Sequence, residues 1–472
     1  MMPAQPAQLR PAGRLMREEE TRAAAVIGLS ALWPEERAGA AFPASGRPDL
    51  AGRVFLFLQG PPGPFFRHLA RALGRAGAST VKVVFNPGDA LDSIGLRRRY
   101  FRGTRTDWPV WVRQAAVQDG VTDVVLYGDC RFYHRAAVAT LRALGIRVHV
   151  FEEGYLRPDW ITYERDGVNG FSPLMRMDCG RLADTMADPL TEPAAQGVGN
   201  ALWRYVAYGM RYYGCNLAGS WLFPCYRSHR EPGLGRELLA WTRRLALMGP
   251  SKARSRRTVA RVMAGERFHM ILLQLGGDSQ LAVHSDYVSL DAVIEECVCA
   301  YARAGAPGGP LVFKSHPLDP DVGAVAAAVA GAARRHDVAD RCHFVDGGKL
   351  APLLDRARSV VSVNSTACHQ AMMRGIPTRV LGRAIYRHPP YVSELPLERF
   401  FAKPQPPDER AYRRFRVFLL RTCQFNGCFY TGRGIEMLIG PLVQSMASTA
   451  ETESFYRLEG ADMAEEALDA AQ

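Results

Sequence analysis

Apolar residues in this chain gather into short unbroken runs, each followed by a polar, often glycine-bearing junction and then by a stretch of helical periodicity. The first run is Arg53–Leu58, and others lie at Thr80–Phe85, Asp123–Tyr127 and Ile146–Phe151. Runs of this length without alternation suit strands buried on both faces of a parallel sheet. Helical patterns at Arg67–Ala76, Trp108–Gln118 and Tyr133–Leu144 separate them. A second series follows: His269–Gln274, Leu311–Ser315, Cys342–Val345 and Val360–Thr366 as strands, with helices at Leu290–Ala304, Leu350–Ala357 and Ala367–Arg374. Strand and helix in alternation predict an α/β fold of two Rossmann-like domains facing a cleft.

The same pattern divides the chain. Residues 1–50 lack a sustained period and read as a disordered or partly helical extension, and 51–196 form the first Rossmann-like domain. A basic aromatic helical segment occupies 197–265, the second Rossmann-like domain 266–400, helices packing back on the first domain 401–450, and a frayed acidic tail 451–472. In the basic segment Trp203, Tyr205, Tyr208, Tyr212, Tyr213, Trp221 and Tyr226 are interleaved with Arg204, Arg211 and Arg227. Amphipathic rings beside cations suit a membrane interface. They also suit single-stranded nucleic acid, or a helical hairpin with an aromatic core.

Composition narrows this picture a little. Of the 472 residues, 47% are hydrophobic and 22% charged, which fits a globular protein rather than a disordered one. The net charge of +12 favours an anionic partner without choosing among membrane, nucleic acid and phosphate-bearing substrate. No apolar run is long enough to span a bilayer and no signal peptide opens the chain, so the expected location is cytoplasmic. The ten cysteines show no CxxC spacing and read as reduced thiols.

Candidate chemistry lies at the strand ends, where open α/β sheets bind ligands. The run ending at Phe151 empties into Glu152-Glu153-Gly154, with Arg157 close behind. Gln59-Gly60-Pro61-Pro62-Gly63 makes a strand–turn–helix junction shaped like a phosphate cradle, though no Walker lysine follows. In the second half, strand ends carry Gln274, Asp278 and Gln280, then His316-Pro317, then Asn364-Ser365-Thr366.

Several of these blocks, in this order from Arg53 to Gly432, resemble the capsule polysaccharide biosynthesis/export family of KpsS and LipB. They are Phe55-Leu-Phe-Leu-Gln-Gly-Pro-Pro-Gly-Pro-Phe-Phe, Phe151-Glu-Glu-Gly-Tyr-Leu-Arg-Pro-Asp-Trp-Ile-Thr, Asp278-Ser-Gln, His316-Pro-Leu-Asp, Val363-Asn-Ser-Thr and Leu381-Gly-Arg-Ala-Ile-Tyr. The extension before Arg53 lies outside the resemblance, and the loop before Asp278 is more glycine-rich than the family pattern. The resemblance implies a GT-B-like β-Kdo glycosyltransferase, peripheral on the inner face of the cytoplasmic membrane. Its donor would be CMP-Kdo and its acceptor a phospholipid of the lysophosphatidylglycerol type, with a capsule assembly and export complex as partner, no nucleic acid, no cofactor and no metal. Under it Glu153 is the candidate acid/base and Asp278 the candidate nucleophile of a retaining reaction, roles that the residues alone leave interchangeable. His316, Pro317, Asn364, Ser365, Thr366, Gln274 and Gln280 would hold the CMP-sugar. Gln59, Gly60, Glu152 and Arg157 are candidates for acceptor or sugar contact, although Arg157 has an alternative partner in Asp159. Two rival readings are a sialyltransferase-like enzyme using another CMP-sugar and a non-catalytic adaptor in capsule export.

Overall fold

The computed structural model describes residues 48–177, 191–228, 234–275, 279–316, 319, 321–448 and 456, with backbone alone along much of 234–248 and at 279, 280 and 282. Asp278 and Pro317 therefore lie outside the described residues, as do the extension up to residue 47 and the tail after 448 apart from Tyr456.

Twelve described strands form two sheets. In the first, β1 (Val54–Phe57), β2 (Ser79–Val84), β3 (Arg98–Tyr100), β4 (Asp123–Tyr127), β5 (Arg147–Glu153), β6 (Trp160–Arg165) and β12 (Gln424–Asn426) take the order β12-β6-β5-β4-β1-β2-β3. In the second, β7 (Phe268–Leu272), β8 (Leu311–Lys314), β9 (Cys342–Val345), β10 (Ala357–Ser362) and β11 (Thr378–Val380) take the order β11-β10-β7-β8-β9. Within the first sheet β3, β2, β1, β4 and β5 are mutually parallel, and the whole second sheet is parallel. Both halves thus reverse direction beside their first strand, between β1 and β4 and between β7 and β10, where a crevice opens at the carboxyl ends.

The unbroken apolar runs become the central strands because both faces are covered. Phe55, Leu56 and Phe57 are inaccessible to solvent, as are Val124, Val125 and Leu126, and Met270 and Ile271 in the second sheet. Phe57, Phe65, Phe66 and Phe151 pack edge to face or tilted, with ring centroids 5.3–5.8 Å apart, between β1, β5 and the helix Phe65–Arg75. Such geometry favours the ring quadrupoles.

Four strands, β3, β6, β11 and β12, were not legible as strands. Arg97–Tyr100 reads as a basic stretch, yet Arg98–Tyr100 forms the edge strand β3, with Arg97 and Arg99 both paired to Asp119. β6 runs antiparallel to β5 and turns the sheet back on itself. The segment Tyr412–Leu438 has a helical pattern throughout, but Gln424–Asn426 interrupts it as β12, antiparallel to β6. Gln424 Nε2 donates to Thr162 Oγ1 (3.0 Å), a tertiary contact that overrides local propensity. The helix Gly432–Ala447 then returns to the first sheet, where Arg53 Nη1 donates to Met446 O (2.7 Å). Tyr456 departs from the expected frayed tail: it is fully buried and its hydroxyl donates to the buried Glu164.

The basic aromatic segment contains two described helices, Leu202–Ala218 and Leu234–Ala264. Tyr208 and Tyr212 of the first lie against Gly63 and Gly88, where an added Cβ would come within 2.9 and 2.5 Å of their rings. The helix therefore caps the carboxyl ends of β1 and β2. Its other face exposes Trp203, Met210 and Leu217, seven residues apart, and Trp221 just beyond its end.

Candidate active site

The carboxylates of the Glu-Glu-Gly motif stand clear of the sheet because β5 outruns β4. Tyr127, the last residue of β4, pairs with Phe151, whereas Glu152 and Glu153 pair only with Thr162 and Ile161 of β6. Gly154 is required where the chain leaves the strand, since a Cβ there would sit 2.2 Å from Trp160 O. The two acids have different surroundings. Glu153 Oε1 accepts hydrogen bonds from the hydroxyls of Tyr127 (3.2 Å) and Tyr430 (2.8 Å). Glu152 accepts from the Glu153 amide (2.9 Å), and burial, reinforced by the charge of Glu153, pushes its pKa up to about 7. Neighbouring carboxyl groups with such unequal environments divide acid and base roles.

Two guanidinium groups flank this pair, and both pull against the rise in the Glu152 pKa. Arg157 donates through Nε to Gly154 O (3.1 Å). Asp159 accepts instead from the Val198 amide (3.2 Å). Arg131 follows β4 and lies over the Tyr127 ring, 5.3 Å from its centroid.

In the second sheet the candidate donor residues occupy three adjacent strand ends, β8, β7 and β10. Gln274 Nε2 donates to Asn364 Oδ1 (2.6 Å) and Asn364 N donates to Gln274 Oε1 (3.3 Å), which bridges β7 and β10 at the reversal point. Ser365 Oγ accepts from Ala367 N (3.2 Å), and its carbonyl accepts from the Tyr386 hydroxyl (2.6 Å). The helix that follows, Cys368–Met372, is a single short turn. His316 lies two residues beyond the end of β8, and burial first, then the charges of Arg157 and Lys314, hold the pKa of its imidazole below the usual range. Of Gln280 the structure gives the helical backbone only.

The two sets meet. Arg157, from the first sheet, is near enough for its charge to depress His316 in the second. Cys130 Sγ lies 3.2 Å from His284 Nε2, and Phe171 packs edge-on against the same imidazole at 4.6 Å. Asp129, Cys130 and His284 bring one ligand-type atom each within 4.8 Å of one another. Asp129 there accepts from the Val168 amide (2.8 Å) and from the Cys130 thiol (3.4 Å), both within the first half, and the Cys130–His284 contact is the one that crosses to the second.

The glycine-rich turn after β1 is not an open phosphate cradle. The Gly63 amide donates to Asp92 Oδ2 (2.9 Å), and Asp92 is ion-paired with Arg211. An internal carboxylate thus takes the place of an anionic ligand at that helix start. Gly60 makes room for Phe66, 2.7 Å from an added Cβ. Gln59 is buried, its amide donating to Asp89 Oδ2 (3.2 Å) and to the hydroxyls of Tyr212 (3.1 Å) and Tyr226 (3.2 Å). These residues fix the aromatic helix to the sheet.

A family model described as capsule polysaccharide biosynthesis protein matches residues 122–430. The chain belongs to that family. Its similarity to the capsule polysaccharide export protein KpsS of Escherichia coli is 31% identity over 388 residues, covering 81% of this chain and 98% of that one. The capsule polysaccharide modification protein LipB of Neisseria meningitidis serogroup B is 29% identical over 387 residues, 80% of this chain and 91% of its own. Among solved structures, Thermosulfurimonas dismutans KpsC, a beta Kdo 2,7 transferase, aligns over 77% of this chain and 89% of its own, at 12% identity and a TM-score of 0.39. Family membership places the chain in capsule polysaccharide biosynthesis. The matched span contains both halves of the site, from β4 to Tyr430. Tyr127, Arg131 and Tyr430 were missed by sequence reasoning, because Tyr127 at the end of β4 and Arg131 just after it join the site only once β5 is seen to overhang, and Tyr430 arrives from a distant segment. Among the described residues no helix is long and apolar enough to cross a membrane.

Proposed function

We propose that the chain is a retaining β-Kdo glycosyltransferase of GT-B-like architecture, moving Kdo from CMP-Kdo to a lysophosphatidylglycerol-type acceptor at a membrane surface to start the oligo-Kdo linker of capsular polysaccharide. What supports this reading is the Glu152–Glu153 pair at the end of β5, with Arg157 near enough for its charge to act both on Glu152 and on His316 beyond β8, in a chain of the capsule family. CMP is a good leaving group, so its departure needs charge stabilisation more than a strong acid. His316, Asn364, Ser365 and Thr366 would hold the CMP at the strand ends of the second sheet, and Arg157 would meet the Kdo carboxylate. The Asp278 carboxylate attacks the anomeric carbon as CMP leaves. The acceptor hydroxyl, giving its proton to Glu153, then displaces Asp278 with net retention. Glu152, titrating near 7, limits the second negative charge beside the incoming anion. The reaction calls on no resident cofactor or metal.

Calorimetric titration with CMP tests the donor assignment. Wild-type protein is expected to bind it, and His316→Ala to bind it about 10-fold more weakly, the order of one lost hydrogen bond to a charged group. A chain that ignores CMP is no such transferase, and one that prefers CMP-sialic acid over CMP-Kdo in turnover uses another sugar. The acceptor side has its own test. Trp203, Met210, Leu217 and Trp221 form an exposed apolar stripe beside Arg204 and Arg227. Trp203→Ala with Trp221→Ala is expected to lower partitioning onto anionic vesicles at least 10-fold in a flotation assay, given about 25 cal/mol per Å² of buried apolar surface.

A further inference from the structure

Arg131 stands at the carboxyl end of β4, beside the reacting carboxylates, and has no assigned partner. Among the described residues no carboxylate pairs with it and no side-chain hydrogen bond engages its guanidinium. It is nevertheless central. It lies over the ring of Tyr127, whose hydroxyl donates to Glu153, and its charge is felt by Glu152, Tyr226, His134 and Lys82. Lys82 is itself buried, with Leu58 O as its hydrogen-bond acceptor, and the charges of Asp89 and Asp92 already act on it, which leaves Arg131 as the half-exposed cation at this end of the sheet.

The two guanidinium groups near Glu152 have different neighbours. The charge of Arg157 also reaches His316 of the second sheet. Arg131 lies over the Tyr127 ring, and its charge reaches Tyr226 and Lys82 of the first half, where the helix Leu202–Ala218 exposes Trp203 and Met210. That helix also reaches the reacting carboxylate, since the Tyr205 ring packs edge-on against Tyr430 at 5.1 Å. Arg131 follows β4 and Glu153 ends the neighbouring β5, and Tyr127 connects the two, its ring under the guanidinium and its hydroxyl donating to Glu153.

We propose that Arg131 is the positioning residue for the acceptor, binding the phosphodiester of its headgroup through the planar guanidinium while the neighbouring hydroxyl meets Glu153. The inference rests on the transferase reading above and names the acceptor anion's seat. Bidentate contact to a phosphate is geometry that arginine provides and lysine does not. The half-exposed position gives the side chain no core to support, and as the residue before the helix Phe132–Arg142 it contributes no side-chain cap.

The experiment compares Arg131→Gln, Arg131→Lys and, as a control for net charge, the exposed Arg113→Gln. With CMP-Kdo and a short-chain lysophosphatidylglycerol, Arg131→Gln is expected to raise the acceptor KM roughly 10- to 100-fold. The donor KM should stay unchanged, and Arg131→Lys should recover part of the loss. On a neutral monoalkyl glycerol acceptor, wild type and Arg131→Gln should behave alike. An equal loss on the neutral acceptor, or an equal shift in Arg113→Gln, overturns the proposal. Inorganic phosphate that binds wild type as tightly as the lipid does overturns it in favour of a free-phosphate site. If wild type transfers nothing from CMP-Kdo, the transferase reading fails, and calorimetry with the lysophospholipid alone still decides this one. Binding lost in Arg131→Gln supports it, and binding retained refutes it.

Discussion

Replacing Glu153 by glutamine is expected to lower Kdo transfer by about 10²- to 10⁴-fold, the range spanned by loss of a positioned general base. The fold should survive, because the amide oxygen can still accept from the hydroxyls of Tyr127 and Tyr430. Thermal unfolding of the variant therefore serves as the control, and CMP titration should be unchanged because the donor groups belong to the second sheet. Glu152→Gln should behave differently. Burial and the charge of Glu153 place Glu152 near 7, so in wild type a second negative charge develops as pH rises through that value and opposes the anionic donor. The wild-type rate should fall above about pH 7, and Glu152→Gln should flatten that limb while retaining most of the rate at neutrality. A Glu153→Gln enzyme with ordinary turnover would remove this residue from the chemistry, and an unchanged pH profile in Glu152→Gln would assign the limb to another group.

What could be read in advance follows from which forces are local. Strands β1, β4, β5, β7 and β8 are covered on both faces, so their burial is written as unbroken apolar runs, and their ends follow directly. The strand ends in turn locate Glu152, Glu153, His316 and Asn364. By contrast β12 consists of three residues in a helical context, and it exists because Gln424 and Asn426 find partners in Thr162 and Asp159 some 260 residues away along the chain. No periodicity encodes that distance. The glycine-rich turn failed for a related reason. Its glycines satisfy the approach of Phe66 and Tyr208, and its free amide already has Asp92, so the cradle shape in sequence says nothing about what fills it. Tyr430 is the most instructive omission, since one hydrogen bond from the C-terminal segment completes the environment of a catalytic candidate at the other end of the matched family region.

At the opposite end of the same sheet, Asp123→Asn should be the most destabilising of the changes considered, by about 3–5 kcal/mol, as for removal of one partner from a buried ion network. Asp123 is fully buried at the start of β4 and accepts from Arg53 Nε (3.0 Å), Arg147 Nε (2.8 Å), His149 Nε2 (2.9 Å) and Thr122 Oγ1 (2.6 Å). Burial by itself would raise its pKa, but hydrogen bonds from His149, Arg147 and Arg53 outweigh it and hold the carboxyl far below the usual range. Arg53 in turn reaches the carbonyls of Met446 and Ala447, so the network also ties the last described helix to the sheet. An amide has the shape of the carboxylate but no charge, which leaves a nearly buried guanidinium unneutralised. The sign of the pH effect follows from the depressed pKa. The contribution is present above the unfolded-state value of about 4 and is lost as pH falls toward the native value. Urea melts should therefore show wild type and Asp123→Asn far apart at pH 7 and converging at progressively lower pH. A constant gap across that range would mean that packing around Asp123, rather than its charge, holds this end of the sheet together.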